Sequence, residues 1–182
     1  MMEEILIAGF GGQGVMSMGQ LIAYAGMNEG KFVSWLPSYG PEQRGGTANC
    51  AVVVSEEQVG SPLVSRPTTA IVLNNPSYEK FEPMVRAGGL LVVNSSLISK
   101  LSARTDIRVL NINATDKGNE LGNPKVANMI LLGVFIAETG ILSDDSILGA
   151  LKKVLSPEKH SLLDINRRAL QLGRSLTNSM VT

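Results

Sequence analysis

The sequence predicts one α/β domain built on a mostly parallel β-sheet. Three observations carry that expectation. Short apolar runs end in turn residues, segments of helical period alternate with them, and a glycine-rich turn joins the first run to the first helix. A length of 182 residues suits one domain, taken as 1–182, and 44% hydrophobic residues provide a sizeable core.

Glu4–Ala8 is an apolar run ending in glycines, as a buried parallel strand would be. Val15, Met18, Ile22 and Ala25 follow at spacings of three and four, predicting a helix from about Gly14 to Met27. Phe32–Leu36 reads as a second strand, so the opening is a βαβ unit and the first part of the sheet is expected to be parallel. After a Gly/Pro-rich loop, Pro37 to Gly46, Ala48–Val54 is a strong strand. Thr69–Leu73 is another, ending at a turn signal, Asn74-Asn75-Pro76. Tyr78, Phe81 and Val85 line a short helix limited by Pro83; Leu90–Val93 and Ile107–Ile112 are further strands. Between Val93 and Asn123 no other element declares itself. From Asn123 the pattern turns helical: a long apolar helix to Thr139, a short one near Asp144–Leu155, and a C-terminal one striped by Leu162, Ile165, Ala169, Leu172 and Leu176. Asn123-Pro124 has the form of an N-cap and first helical residue.

Composition excludes several functions. Sixteen Lys+Arg balance sixteen Asp+Glu, which leaves no basic excess for nucleic acid. One Cys and one His supply neither a disulfide framework, nor a four-Cys cluster site, nor a His-based triad. The longest apolar run, Met129–Ala137, is about half the ~20 residues needed to span a bilayer, so no membrane is expected. The acidic opening Met1–Glu4 lacks the pattern of a secretory leader, and the cytoplasm is the expected compartment.

Gly9-Phe10-Gly11-Gly12-Gln13-Gly14 fits G-x-G-x-x-G after a strand and before a helix, the Rossmann-like context. Glycines permit the tight turn, and unpaired N–H groups at the helix start suit an anion. A dinucleotide site also needs an acid at the end of strand two, and Ser34–Pro37 has none; Glu29 lies before that strand. Anion contact, NAD(P) binding and mere close packing all stay open at this point. The second loop, Pro37–Cys50, brings Tyr39, Glu42, Gln43 and Arg44 among Gly40, Gly45 and Gly46, at what should be the same sheet edge. It reads either as a solvated loop or as one facing a cofactor or partner, since Arg suits phosphate and carboxylate forks. Cys50 reads as a buried, inert thiol, His160 and Lys152-Lys153 as surface, and Met16, Met18, Met27, Met84 and Met129 as core fill or interface. Trp35 and Tyr39 flank the second loop in the manner of interface aromatics.

Three ordered segments, Gly9–Val15, Ser38–Asn49 and Glu120–Met129, together resemble the gamma subunit of 2-oxoacid:ferredoxin oxidoreductases along nearly the whole chain. The Tyr-Gly-Pro-Glu-Gln-Arg-Gly-Gly form of the second loop (Tyr39–Gly46) is most similar to the 2-oxoglutarate enzymes, with branched-chain enzymes close behind. The resemblance implies a complex that oxidatively decarboxylates a 2-oxoacid, reduces ferredoxin and releases an acyl-CoA. It implies alpha and beta subunits holding thiamine diphosphate and Mg²⁺, iron–sulfur clusters in beta or a delta subunit, and a chain inactive alone. Gly9, Gly11, Gly12, Gln13, Gly14 and Arg44 are then candidates for a CoA phosphate or a subunit contact. Tyr39, Glu42, Arg44 and Asn128 are candidates for the interface, with no catalytic residue and no metal ligand. The alternatives are a stand-alone NAD(P)-dependent oxidoreductase and a phosphate-binding regulatory or scaffold module.

Overall fold

The structure, a computed structural model, describes residues 1–39 and 47–178. Its strands are β1 (Met2–Phe10), β2 (Phe32–Tyr39), β3 (Thr47–Ser55), β4 (Thr69–Val72), β5 (Leu90–Asn94) and β6 (Arg108–Ile112). Its α-helices are α1 (Val15–Asn28), α2 (Asn75–Phe81), α3 (Ala114–Glu120), α4 (Ala127–Thr139), α5 (Asp144–Val154) and α6 (Leu163–Asn178). The strands form one sheet in the order β2-β3-β1-β4-β5-β6.

Five strands run one way and β3 runs against them, pairing antiparallel with both β1 and β2. The parallel part is therefore β1-β4-β5-β6, and the expectation of a parallel first part is corrected. The reason is connection length. Residues 40–46 are too few for the dozen or more that a crossover between parallel strands needs, so β2 and β3 pair as antiparallel neighbours and β3 takes the slot beside β1.

Alternation along β1 divides the core. Ile5 and Ile7 join α1, α4 and α5 on one face, whereas Leu6 and Ala8 join Tyr78, Phe81 and Val85 on the other. On the first face α4 is buried from Met129 to Ile136, which explains its unbroken apolar run. α6 lies across it at backbone contact: a methyl on Gly133 would overlap the Leu170 carbonyl, and one on Gly173 the Ile130 carbonyl.

Other differences are local. Asn74-Asn75-Pro76 is a helix start rather than a plain turn: Asn74 Oδ1 accepts from Ser77 N–H at 2.9 Å, and Pro76 sits in the first turn. Asn123 caps as expected, accepting from Lys125 N–H at 3.0 Å, but the turn it starts is a 3₁₀ segment, Pro124–Val126, ahead of α4. α3 leaves no signal in the sequence because only Ala114 and Gly118 are buried along it, which gives no apolar stripe. Among the described residues no helix is long and apolar enough to cross a membrane.

Candidate functional site

β1 and β4 are parallel neighbours whose following helices leave to opposite faces, α1 to one and α2 to the other. Such a switch point opens a crevice at the carboxyl ends of the strands, where ligands of α/β sheets bind. The glycine loop, Gly9–Gly14, forms one lip of it. Gly12 (φ 90°) and Gly14 (φ 79°) take left-handed backbone that other residues resist. Gly14 ends the loop as the N-cap of α1 without a side-chain cap, and no acid lies in the first turn. The first N–H groups of α1 and the positive end of its dipole are thus left for an outside acceptor. Gly11 and Gly12 border open space.

Gln13, a predicted ligand residue, has its amide engaged inside the loop. Its Oε1 accepts from Phe10 N–H at 2.6 Å, and its Nε2 donates to the Leu73 carbonyl at 3.4 Å, bracing the loop onto the end of β4. Gly9 lies under this brace, with Gln13 Oε1 only 2.6 Å from where a Cβ would stand.

Register brings Tyr39, the last residue of β2 and part of the second loop as read from the sequence, to the same edge. Ala48 of β3 pairs with Gly9 on one side and Tyr39 on the other. Tyr39 is 71% exposed there. Gly40, Glu42, Gln43, Arg44, Gly45 and Gly46 lie outside the described residues. Asn128, from the third segment, reaches the glycine loop from α4: its Cγ lies 2.9 Å from where a Cβ on Gly14 would stand, and its Oδ1 accepts from Met129 N–H at 2.9 Å.

Sequence reasoning missed two residues at this edge. Asn74 and Asn94 end the β4 and β5 runs, are buried, and hold half-satisfied amides. Asn74 Oδ1 caps α2 and Asn94 Nδ2 donates to Thr115 Oγ1 at 3.0 Å, while Asn74 Nδ2 and Asn94 Oδ1 lack a partner. The signal was an Asn closing each of two apolar runs, Leu73-Asn74 and Val93-Asn94.

The dinucleotide reading loses its acid. Glu29 stands at the far end of α1, where its carboxylate accepts from Ser143 N–H at 2.7 Å and Ser143 Oγ at 2.9 Å, and pairs with Lys31 at 3.3 Å. Burial pulls its pKa up, but hydrogen bonds from Ser143, Ser146 and Lys31 outweigh it and bring it down to about 2. The neighbour of β1 on the β2 side is β3, whose first residue, opposite Phe10, is Thr47 rather than an acid. Cys50 is fully buried and burial pushes its thiol up to about 12, as an inert thiol requires. His160 is half-buried against the Leu155 carbonyl at 3.2 Å rather than at the surface, and Met27 is exposed rather than core. Among the described residues no group of three His, Cys, Asp or Glu could hold a metal ion. The uncapped start of α1 does fit an anion.

Comparison with known proteins agrees with this architecture. Residues 4–176 match the family model described as pyruvate ferredoxin/flavodoxin oxidoreductase. The chain is 41% identical over 172 residues to the ketoisovalerate oxidoreductase subunit VorA of Methanothermobacter marburgensis, covering 93% of this chain but 35% of that protein. It is 32% identical over 183 residues to the 2-oxoglutarate synthase subunit KorC of the same organism, covering 97% of each. Among solved structures, the gamma subunit of a keto/oxoacid ferredoxin oxidoreductase from Geobacter sulfurreducens superposes with a TM-score of 0.81 at 28% identity, covering 95% of this chain and 96% of that one. The chain therefore shares its overall fold with that subunit and belongs to the pyruvate ferredoxin/flavodoxin oxidoreductase family.

Proposed function

We propose that the chain is the gamma component of a complex that oxidatively decarboxylates a 2-oxoacid to an acyl-CoA and reduces ferredoxin. The observation that carries this reading is the end-to-end match to KorC, 97% of both chains at 32% identity. On this reading the thiamine diphosphate, Mg²⁺ and iron–sulfur clusters belong to alpha, beta or delta partners. This chain, with a single buried Cys, contributes structure and a border to the CoA route. The Gly9–Gly14 loop, with its uncapped helix start, takes a CoA phosphate or a neighbouring subunit, and Arg44 joins it from the second loop. Tyr39, Glu42, Arg44 and Asn128 face that partner.

The test is reconstitution. CoA-dependent reduction of ferredoxin by the other subunits should require this chain; full turnover without it would favour a regulatory or scaffold module. In the assembled enzyme Arg44→Ala should weaken equilibrium CoA binding, and Arg44→Lys should do so less, because it keeps charge and loses the fork. Unchanged affinity and unchanged turnover would remove the CoA assignment. Saturable quenching of Trp35 fluorescence by NADH would revive the dinucleotide reading.

For the substrate we favour 2-oxoglutarate, which the form of the second loop and the KorC match support. A branched-chain 2-oxoacid is the second reading, supported by the higher identity to VorA, of which this chain spans only 35%. The ratio of kcat/KM for 2-oxoglutarate and 3-methyl-2-oxobutanoate in the reconstituted enzyme separates them.

A further inference from the structure

The charge distribution singles out one face that the glycine-loop edge does not use. The fourteen residues of α1 and the eight of β2 include no Asp, Glu, Lys or Arg, in a chain that is 18% charged. Yet neither element is fully buried. On α1, Met16, Gln20, Ala23 and Tyr24 are half-buried along the outer side, and Met27 is 60% exposed. On β2, Phe32 is 50% exposed and Leu36 is exposed as well. Of the chain's Trp, three Tyr and four Phe, half lie on these two elements: Tyr24, Phe32, Trp35 and Tyr39. Depletion of charge with enrichment of aromatics and Met is the composition of an interface core.

The geometry says what kind of partner fits. Among the described residues β2 is the edge of the sheet, so one row of its backbone N–H and C=O groups has no neighbouring strand there. Among the usual devices that blunt an edge, β2 has Pro37 and no charge. Its side chains alternate: Val33 and Trp35 floor a groove of about 300 Å³ walled by Gln20, Ala23, Tyr24 and Met27 of α1. Phe32 and Leu36 stand on the opposite side of the strand. A buried polar atom without a partner, Ser34 Oγ, also falls on β2. A strand apolar on both sides and open along its edge calls for an added extended segment, with one apolar side chain reaching into the groove.

We propose that the β2 edge and the α1 groove form the docking face for the large subunit of the same complex, the counterpart of the part of VorA that lies outside the match, which lays an uncharged, apolar extended segment along β2. This rests on the functional reading above. Two observations favour that source. A neutral face gives a charged peptide nothing to pair with, so the partner segment must be neutral too. In VorA the matching region is 35% of one polypeptide, so this domain there is tethered to a larger body able to cover the face.

The experiment titrates the purified chain against the immobilised large subunit. The double variant Met27→Lys, Leu36→Lys should bind at least 30-fold more weakly. Leu101→Lys, an exposed apolar position on neither element, should stay within twofold. Amides of Phe32–Tyr39 should also gain hydrogen-exchange protection in the complex, a readout that needs no variant. Unchanged affinity of the double variant, or unchanged exchange along β2, overturns the proposal. So does a homodimer of the unmodified chain that the double variant breaks while binding to the large subunit is unaffected; the occupant is then a second copy. If the unmodified chain fails to bind the large subunit at all, the functional reading falls, and the docking face with it.

Discussion

The Asn128 side chain fills the space that a side chain on Gly14 would need: its Cγ lies 2.9 Å and its Cβ 3.2 Å from the position of a Cβ there. Residues 114 positions apart thus fix the start of α1 against the start of α4. Gly14 is also held at φ 79°, where an L-residue is strained. Gly14→Ala should therefore destabilise the chain by about 2–4 kcal/mol, from backbone strain together with overpacking. Asn128→Ala should recover the overlap but not the strain. Denaturant unfolding of both single variants and the double variant measures the coupling, which should be at least about 1 kcal/mol.

Acid should loosen the joint between α1 and α5. Ser143 caps α5 and also donates to Glu29, so one carboxylate holds two helix ends. Its folded pKa of about 2 lies below the ordinary 4.5, so its stabilisation is complete above about pH 5 and is lost as pH falls toward 2. At about 1.4 kcal/mol per pKa unit, Glu29→Gln should cost about 2–3 kcal/mol at pH 7 and little at pH 2. Thermal unfolding of both proteins across that range checks it; a constant difference would sever the link to ionisation.

The α4–α6 layer should tolerate no added methylene. Gly133→Ala drives a methyl into the Leu170 carbonyl, which is backbone and cannot rotate away. A loss of about 1–3 kcal/mol or more is expected, whereas Ala at Gly149, which borders open space inside α5, should gain about 0.5–1 kcal/mol from helix propensity. Equilibrium unfolding of the two variants compares them directly.

Cys50 should be silent in the native protein. With its pKa raised to about 12 by burial, roughly one thiol in ten thousand is ionised at pH 8. Reaction with an aromatic disulfide reagent should follow the unfolding rate and speed up with denaturant. Rapid stoichiometric labelling of the folded chain would contradict the burial.

Most of the elements were legible because their apolar periods match their burial: Val15, Met18, Ile22 and Ala25 all lie in the core. Strand direction was less so, because β2 and β3 carry no mark of orientation in their side chains. The short connection was the clue, and the βαβ pattern before it drew attention away. At the site, the glycine loop was readable from spacing, since left-handed backbone at Gly12 and Gly14 demands glycine. The role of Gln13 was not, because its partners, Phe10 and Leu73, include one 60 residues away. Asn74 and Asn94 were hidden by their resemblance to ordinary strand-ending turns. Met27, read as core fill or interface, stands two residues past Ala25 and so off the spacing of the α1 stripe; it lies on the outer side, with Ala23 and Tyr24.

The order in which the chain leaves the ribosome gives the α4–α6 contact a further meaning. α4 is apolar around its whole circumference, and the helix that covers its outer side begins 24 residues after it ends, at Leu163. While that stretch is still in the exit tunnel, Met129–Ile136 has its sheet partners but no lid. The nascent chain therefore passes through an interval in which its greasiest segment faces water or a holding chaperone. A slow codon run or a truncation before α6 would lengthen that interval. Yield in the cell, more than stability in the test tube, is where such a change would register.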